Sequence, residues 1–354
     1  MRTACSVTTA IGAAILLTLA TPLAQGARQI RFVFTSDVHY GITRPVFRSR
    51  GDAPAYVVNA ALVARINALT PITGPMDFVA VGGDVANRAE AADEIQPASV
   101  SWGQFAHDYL ERITLRTATG AKAPVYVVPG NHDVSNAIGY TEKTMRPARD
   151  NSSLLAIYNL MMAPARRTTA AYDYKHDHVL TSRDIAGIHF VFLTIWPDAI
   201  GRAWLTRDLE HVSATTPVVI FTHDPPESDR KHFDDMLVAE GAPGDEPAAW
   251  EAFVAQHPNI TAYFHGHNNW NEFYDWKGPH HSVVLHTFRA DSPMKGKASQ
   301  NDETKLSFQV ATIDTAAKTL TVRECLWNAH PDNPTAPLAW GASTTVNLAT
   351  LGGH

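Results

Sequence analysis

The stretch IRFVFTSDVH, Ile30 to His39, sets the reading of this chain. Ile30 to Thr35 is a short run of β-branched and aromatic residues, the composition of a buried strand. It breaks into Ser36-Asp37-Val38-His39, which puts a carboxylate and an imidazole at the strand's carboxyl end. The same arrangement recurs along the chain. Asp77 to Val81 ends in Gly82-Gly83-Asp84, and Val125 to Val128 in Pro129-Gly130-Asn131-His132-Asp133. Pro217 to Phe221 ends in Thr222-His223-Asp224, and Ile260 to Phe264 in His265-Gly266-His267-Asn268-Asn269. Ile188 to Ile195 is a further strand. Helical spacing lies between the strands, over Tyr56 to Leu69, Ser99 to Leu115, Ala203 to Val212 and Glu246 to Gln256. Alternating strands and helices predict an α/β fold, in which loops at the carboxyl ends of strands converge on a ligand. Thr141 to Thr169 reads as an excursion over that face, with a weak helical pattern around Leu154 to Met162. Lys305 to Ile313 and Thr319 to Cys325, on either side of Thr315-Ala316-Ala317-Lys318, predict a C-terminal β-hairpin.

Composition narrows the function classes. The 354 residues are 45% hydrophobic and 18% charged, which excludes a disordered chain. With 29 Lys+Arg against 35 Asp+Glu and no basic run, no groove for duplex nucleic acid is expected. Residues 1–26 combine Arg2, the apolar stretch Ile11 to Ala20 and small residues up to Gly26, the pattern of a secretory signal peptide. Cleavage near Ala24 or Gly26 removes Cys5 and leaves Cys325 alone, so no intramolecular disulfide forms. No other uncharged apolar run reaches the ~18–20 residues of a membrane span, and the expected location is exported, periplasmic or secreted.

The five clusters supply carboxylate, amide and imidazole donors, which suit Zn, Mn or Fe, with no competing thiolate. Taken singly, each is also what a turn or a helix cap looks like. Their order is what carries weight: Asp37-x-His39, Gly83-Asp84 with Asn87-Arg88, Gly130-Asn131-His132-Asp133, His223, and Gly266-His267. In this order they are similar to the calcineurin-like (binuclear) metallophosphoesterase superfamily. The resemblance implies a four-layer sandwich of two mixed β-sheets packed face to face, with helices on both outer sides. It implies one domain over 27–354, its C-terminal hairpin closing the second sheet.

Carried over residue by residue, the resemblance gives two divalent metal ions. Asp37 and His39 would hold the first, Asp84 would bridge, and Asn131, His223 and His267 would hold the second. It further implies in-line attack by a metal-bridging hydroxide on a phosphomonoester or phosphodiester, of a phosphorylated small molecule or a lipid head group. Phospholipid head groups and nucleotides are the diesterase alternative, and a metal-holding scaffold that binds a phosphorylated ligand without turnover is the non-enzymatic one. His132 would protonate the leaving oxygen. Asp133 either orients that imidazole or caps a helix, and Arg88 either clamps phosphoryl oxygens or makes a surface salt bridge.

Two positions depart from the family pattern. Asn269 stands where the family places a histidine on the first metal, which predicts a weaker or harder site. His265 is the other nearby imidazole and reads as a support rather than a ligand. Asn87 occupies the tyrosine position of the purple acid phosphatases, so a coloured Fe(III) centre is not expected. Tyr40, Trp196, Trp270, Tyr274 and Trp276 stand near strand ends as candidates to pack a substrate's organic group. His280, His281 and His286 are candidates to line the pocket.

Overall fold

The computed structural model describes residues 28–87, 96–134, 150–174, 176–228 and 245–349. Residues 1–26, which carry the expected signal peptide, and Arg88 therefore lie outside the described residues, as does 141–149 of the expected excursion.

The first half of the chain forms β1 (Gln29–Thr35), the hairpin β2 (Thr43–Phe47) and β3 (Arg50–Pro54), then helices α1 (Ala55–Asn67) and α2 (Thr70–Thr73). Next come β4 (Phe78–Val81), α3 (Ala98–Phe105), β5 (Val125–Val127), the single turn α4 (Asn131–Val134) and α5 (Ser152–Met161). The second half runs through β6 (Leu180–Ile185), β7 (Ile188–Leu193), α6 (Ala199–Leu209), β8 (Val218–Phe221), α7 (Glu246–Gln256) and β9 (Ile260–His265). It ends with β10 (Glu272–Trp276), β11 (Leu285–Arg289), β12 (Ser307–Asp314), β13 (Thr319–Leu326) and β14 (Ala339–Asn347).

Two six-stranded mixed sheets result, in the orders β14-β13-β12-β1-β4-β5 and β10-β11-β9-β8-β7-β6. Strands β1, β4 and β5 run parallel, as do β7, β8, β9 and β11, while the flanking strands are antiparallel. Alternation along β1 points Phe32 and Phe34 inward, where they meet Phe221 and Phe264 of the second sheet at ring-centroid distances of 5.3–5.8 Å. Phe78 adds an edge contact to Phe190 at 5.2 Å. This phenylalanine layer joins the two sheets, and each ring removes roughly 150–250 Å² from water. Helix α5 packs on β5 with α3 against it, and α6 packs on β6 and α7.

The hairpin β12–β13 corrects the expected connection. It belongs to the first sheet, where β12 pairs antiparallel with β1 from Gln29↔Asp314 to Phe34↔Gln309. Ser307 to Ala311 are all buried, as an interior strand requires, and β14 rather than the hairpin forms the edge. The stretch Ala55–Thr73 has a mean hydropathy of 1.3, long and apolar enough by composition to span a membrane. Here Val58, Leu62 and Ile66 are fully buried in the protein core, and buried Asn59 donates to the carbonyls of Val38 and Ala55.

Candidate metal centre

The carboxyl ends of β1, β4, β5, β8 and β9 meet across both sheets. Backbone bonds tie them together: Asp37 N donates to Gly83 O (3.0 Å), His39 N to Asp84 O (2.9 Å) and Gly266 N to His223 O (2.9 Å). Asp37, His39, Asp84, His267 and Asn269 all have left-handed backbone, with φ between 43° and 67°. Such conformations are costly for residues with side chains, and they gather where surrounding structure holds a functional geometry. Glycine makes the approach close enough. At Gly83, φ +97°, a Cβ would sit 2.6 Å from Gly130 N and 2.8 Å from His223 Nδ1.

Asp84 lies at the centre, with its two oxygens facing different partners. Oδ1 is 3.4 Å from His223 Nε2 and accepts from His132 N at 2.8 Å. Oδ2 is 3.7 Å from His39 Nε2 and 3.9 Å from His132 Nε2. His223 Nδ1 donates to Gly82 O at 2.7 Å, which turns Nε2 toward Asn131 Oδ1 at 3.0 Å. His267 Nδ1 is 3.1 Å from the same Asn131 oxygen, and its backbone N–H donates to Asp37 Oδ2 at 2.9 Å. Donor atoms of His223, Asp224 and His267 cluster within 4.8 Å, as do those of Asp37, Asp84 and His223, and of His39, Asp84 and His132.

The electrostatics of this cradle call for positive charge. Burial disfavours an imidazolium, yet Asp84, Asp37 and Asp224 outweigh it and push His223 up to about 10. Burial pushes Asp37 up to about 6, and burial together with the Lys295 ammonium holds His39 well below the usual imidazole range. Asp37 Oδ1, both ring nitrogens of His39 and Asn269 Oδ1 are buried with no hydrogen-bond partner among the described residues. Buried polar atoms are normally satisfied, so Asp37 Oδ1, Asn269 Oδ1 and one ring nitrogen of a neutral His39 are donors arranged for something other than protein. A divalent cation fits them, and neutral imidazole with ionised carboxylate is the ligand form it needs.

The structure brings Asp37, His39, Asp84, Asn131, His132, His223 and His267 into one cradle. Asn269 folds its amide Nδ2 back onto His267 O at 3.0 Å. Asp133 takes the structural course: its carboxylate accepts from the backbone N–H of Val85, Ala86 and Gly130 and from the Ser153 hydroxyl, at 2.9–3.1 Å. It ties the strand ends together and does not reach its neighbour's ring through these bonds. His265 is buried but bonded elsewhere, to Gly266 O and the Tyr274 hydroxyl. His280 and His286 pair with Glu251 and Asp275 outside the cradle. Tyr40, Trp196 and Trp276 are core residues, whereas Trp270 lies under Arg289 and Lys297 as a cation–π partner. A groove of about 750 Å³, lined by Val254, Phe273, Val284, His286 and Val346 among others, shares no residue with the cradle.

Two residues of the cradle escape the sequence reading. Asp224 is fully buried, with Oδ1 3.4 Å from His267 Nδ1. Its signal was present, since it follows His223 directly at a strand end. Lys295 places its ammonium 2.7 Å from Asn87 Oδ1 and 3.5 Å from His132 Nε2. No local motif marks it, because the loop that carries it returns from beyond β11.

Comparison with known proteins agrees with this architecture. The calcineurin-like phosphoesterase family matches residues 30–269. Among solved structures, a dimetal phosphatase from Danio rerio is 12% identical, with a TM-score of 0.53, covering 90% of this chain and 99% of that one. A 5'-nucleotidase precursor from Thermus thermophilus is 11% identical, with a TM-score of 0.40, covering 91% of this chain and 55% of that one. No curated protein matches the sequence. The chain belongs to the calcineurin-like phosphoesterase family, and it is a metallophosphoesterase, a dimetal-dependent hydrolase of phosphoric esters.

Proposed function

We propose that this chain is an exported hydrolase of phosphomonoesters or phosphodiesters, with a small organic group or a lipid head group as the esterified partner. The observation that carries this reading is the set of buried donors around Asp84. Asp37, His39 and Asn269 would hold one metal, Asn131, His223 and His267 the other with Asp224 beside them, and Asp84 would serve both. When bound, the pair supplies Lewis acidity toward phosphoryl oxygens and lowers the pKa of water so that a nucleophile exists near neutral pH. His223 keeps Nε2 aimed inward because Gly82 O holds its Nδ1 proton. His132 lies edge-on to His39, ring centroids 4.9 Å apart, with Nε2 3.9 Å from Asp84 Oδ2. There it gives its proton to the departing alkoxide oxygen.

An aryl phosphate and the corresponding diester, each supplied with Mn(II) and with Zn(II), test the activity. Turnover of at least one, abolished by chelation and restored by metal, is the expected result. Metal-replete protein inert on both would sink the reading and favour a scaffold that holds a phosphorylated ligand. Export is tested apart from activity: expression of the full chain should yield a mature N-terminus just after Ala24 or Gly26.

A further inference from the structure

The cradle is rich in carboxylates, yet Lys295 at its edge is not paired with any described one. Lys295 is half-buried, and among the described residues no carboxylate oxygen lies within 4.0 Å of its ammonium. Its close bond is to the neutral Asn87 Oδ1 at 2.7 Å, with His132 Nε2 at 3.5 Å. An ammonium has three N–H groups, and Asn87 takes one. Removing a charge from water without an ion-pair partner is costly unless a bound anion compensates.

The loop that presents this lysine is held from several sides. Ser292 Oγ donates to Asp37 O at 2.7 Å and accepts from Lys295 N at 2.9 Å, which links the lysine's backbone to a residue of the cradle. Buried Arg44 of β2 donates to Pro293 O at 3.1 Å and to Ser299 O. Lys297 N donates to Asn269 O at 2.7 Å. A long side chain on a free loop loses much rotamer entropy on meeting a ligand; here the backbone is already fixed.

We propose that Lys295 is a phosphoryl-binding residue of this site, its ammonium donating to a non-bridging oxygen of the bound ester. The reading rests on the proposed esterase function, which puts the phosphoryl group in the cradle beside His132. Holding one of its oxygens there orients the leaving oxygen toward His132 Nε2 and offsets charge that the metals leave unbalanced.

The test uses the metal-loaded protein and inorganic phosphate as probe. Phosphate affinity is measured by calorimetry for wild type, Lys295→Met, Lys295→Gln and Lys295→Arg, with metal content determined on the same samples. Both neutral variants should bind phosphate about 10- to 100-fold more weakly while retaining both metals, the span expected for a charge-assisted hydrogen bond. KM for an ester should rise more than kcat falls, and Lys295→Arg should recover part of the loss. Should Lys295→Met fail to fold, Lys295→Gln, which keeps a neutral N–H donor on a side chain one atom shorter, decides. Unchanged phosphate affinity in a folded neutral variant overturns the proposal, as does loss of metal, which would make the lysine a support of the cradle. A wild-type protein that binds phosphate through Lys295 but hydrolyses neither ester would refute the esterase reading and leave this one standing.

Discussion

On the Oδ1 side of Asp84, two imidazoles, an amide and a second carboxylate crowd one another: His223, His267, Asn131 and Asp224 have donor atoms 3.0–3.9 Å apart. On the Oδ2 side stand Asp37 and His39, 3.7 Å apart, with buried atoms that no protein group satisfies and with Asn269 instead of a further imidazole. On the proposed assignment the first half would suit a tightly held borderline metal and the second a harder or more weakly held one. The cation Lys295 lies toward the second half, where its field lowers His39. On the proposed assignment, in which Asp84 would serve both metals, this difference predicts that the two are not equivalent. It also sets the proposed phosphoryl-binding cation beside the second half.

Breaking the bridge tests the comparison most severely. Asp84→Asn keeps the shape and an acceptor for His132 N but removes the charge both halves share. Metal content should fall below two equivalents, and turnover should drop beyond the about 10²–10³-fold that single electrostatic contacts supply. Retention of both metals with near-normal turnover would show that Asp84 is no bridge. His132→Ala comes next. Turnover should fall by about 10²–10⁴-fold with both metals kept, as for loss of a general acid. Because His132 Nε2 also clusters with His39 and Asp84, metal loss in this variant would move it from proton donor to ligand.

The strand ends were legible because period and composition act locally: Phe32 and Phe34 alternate, then Asp37 and His39 follow where the strand must stop. Even so, sequence order cannot say which sheet a late strand joins. The run Lys305 to Ile313 reads as a hairpin arm, and its pairing with β1 depends on contacts nearly the whole chain apart. β14 was invisible for a different reason, since its Ala-Trp-Gly-Ala-Ser-Thr-Thr run is an exposed edge with little apolar signal. Within the site, Asp133 and Asp224 show how neighbours mislead. Both adjoin a histidine, but Asp133 spends its carboxylate on three backbone donors, while Asp224 is the one that faces the cradle. Lys295 was beyond reach, because only the folded loop brings it back to His132.

Asn269→His sharpens the comparison by making the halves more alike. The side chain stands on a backbone with φ 63°, and histidine is among the residues that tolerate this conformation. A second Zn(II) equivalent should bind more tightly, by at least the about tenfold that even contacts outside the ligand set are worth. Successive Kd values from zinc titration check it; an unchanged weaker constant would mean that Asn269 contributes nothing to that half.

The smallest effect concerns the base of the Lys295 loop. Burial pushes the Asp291 carboxyl up to about 8, against the pull of its hydrogen bonds with Ser292 and Ser299 and of Arg44. In the unfolded chain the same group titrates near 3.9. Between about pH 4 and pH 8 the folded state therefore binds the extra proton. The contribution to stability is fully present below the unfolded pKa and is lost as pH rises through the folded one. Asp291→Asn removes this dependence while keeping the shape, so its Tm should gain on wild type from pH 5 to about pH 8 and level off above that, at constant metal load. The gain should leave the zinc constant of the Oδ1 half unmoved, because Asp291 supports the loop on the other side. Tm curves that stay parallel across that range would mean that the carboxyl is ionised throughout, with Arg44 as its counter-charge. The loop beneath Lys295 would then be held by an ion pair, and its hold on the lysine would be insensitive to pH.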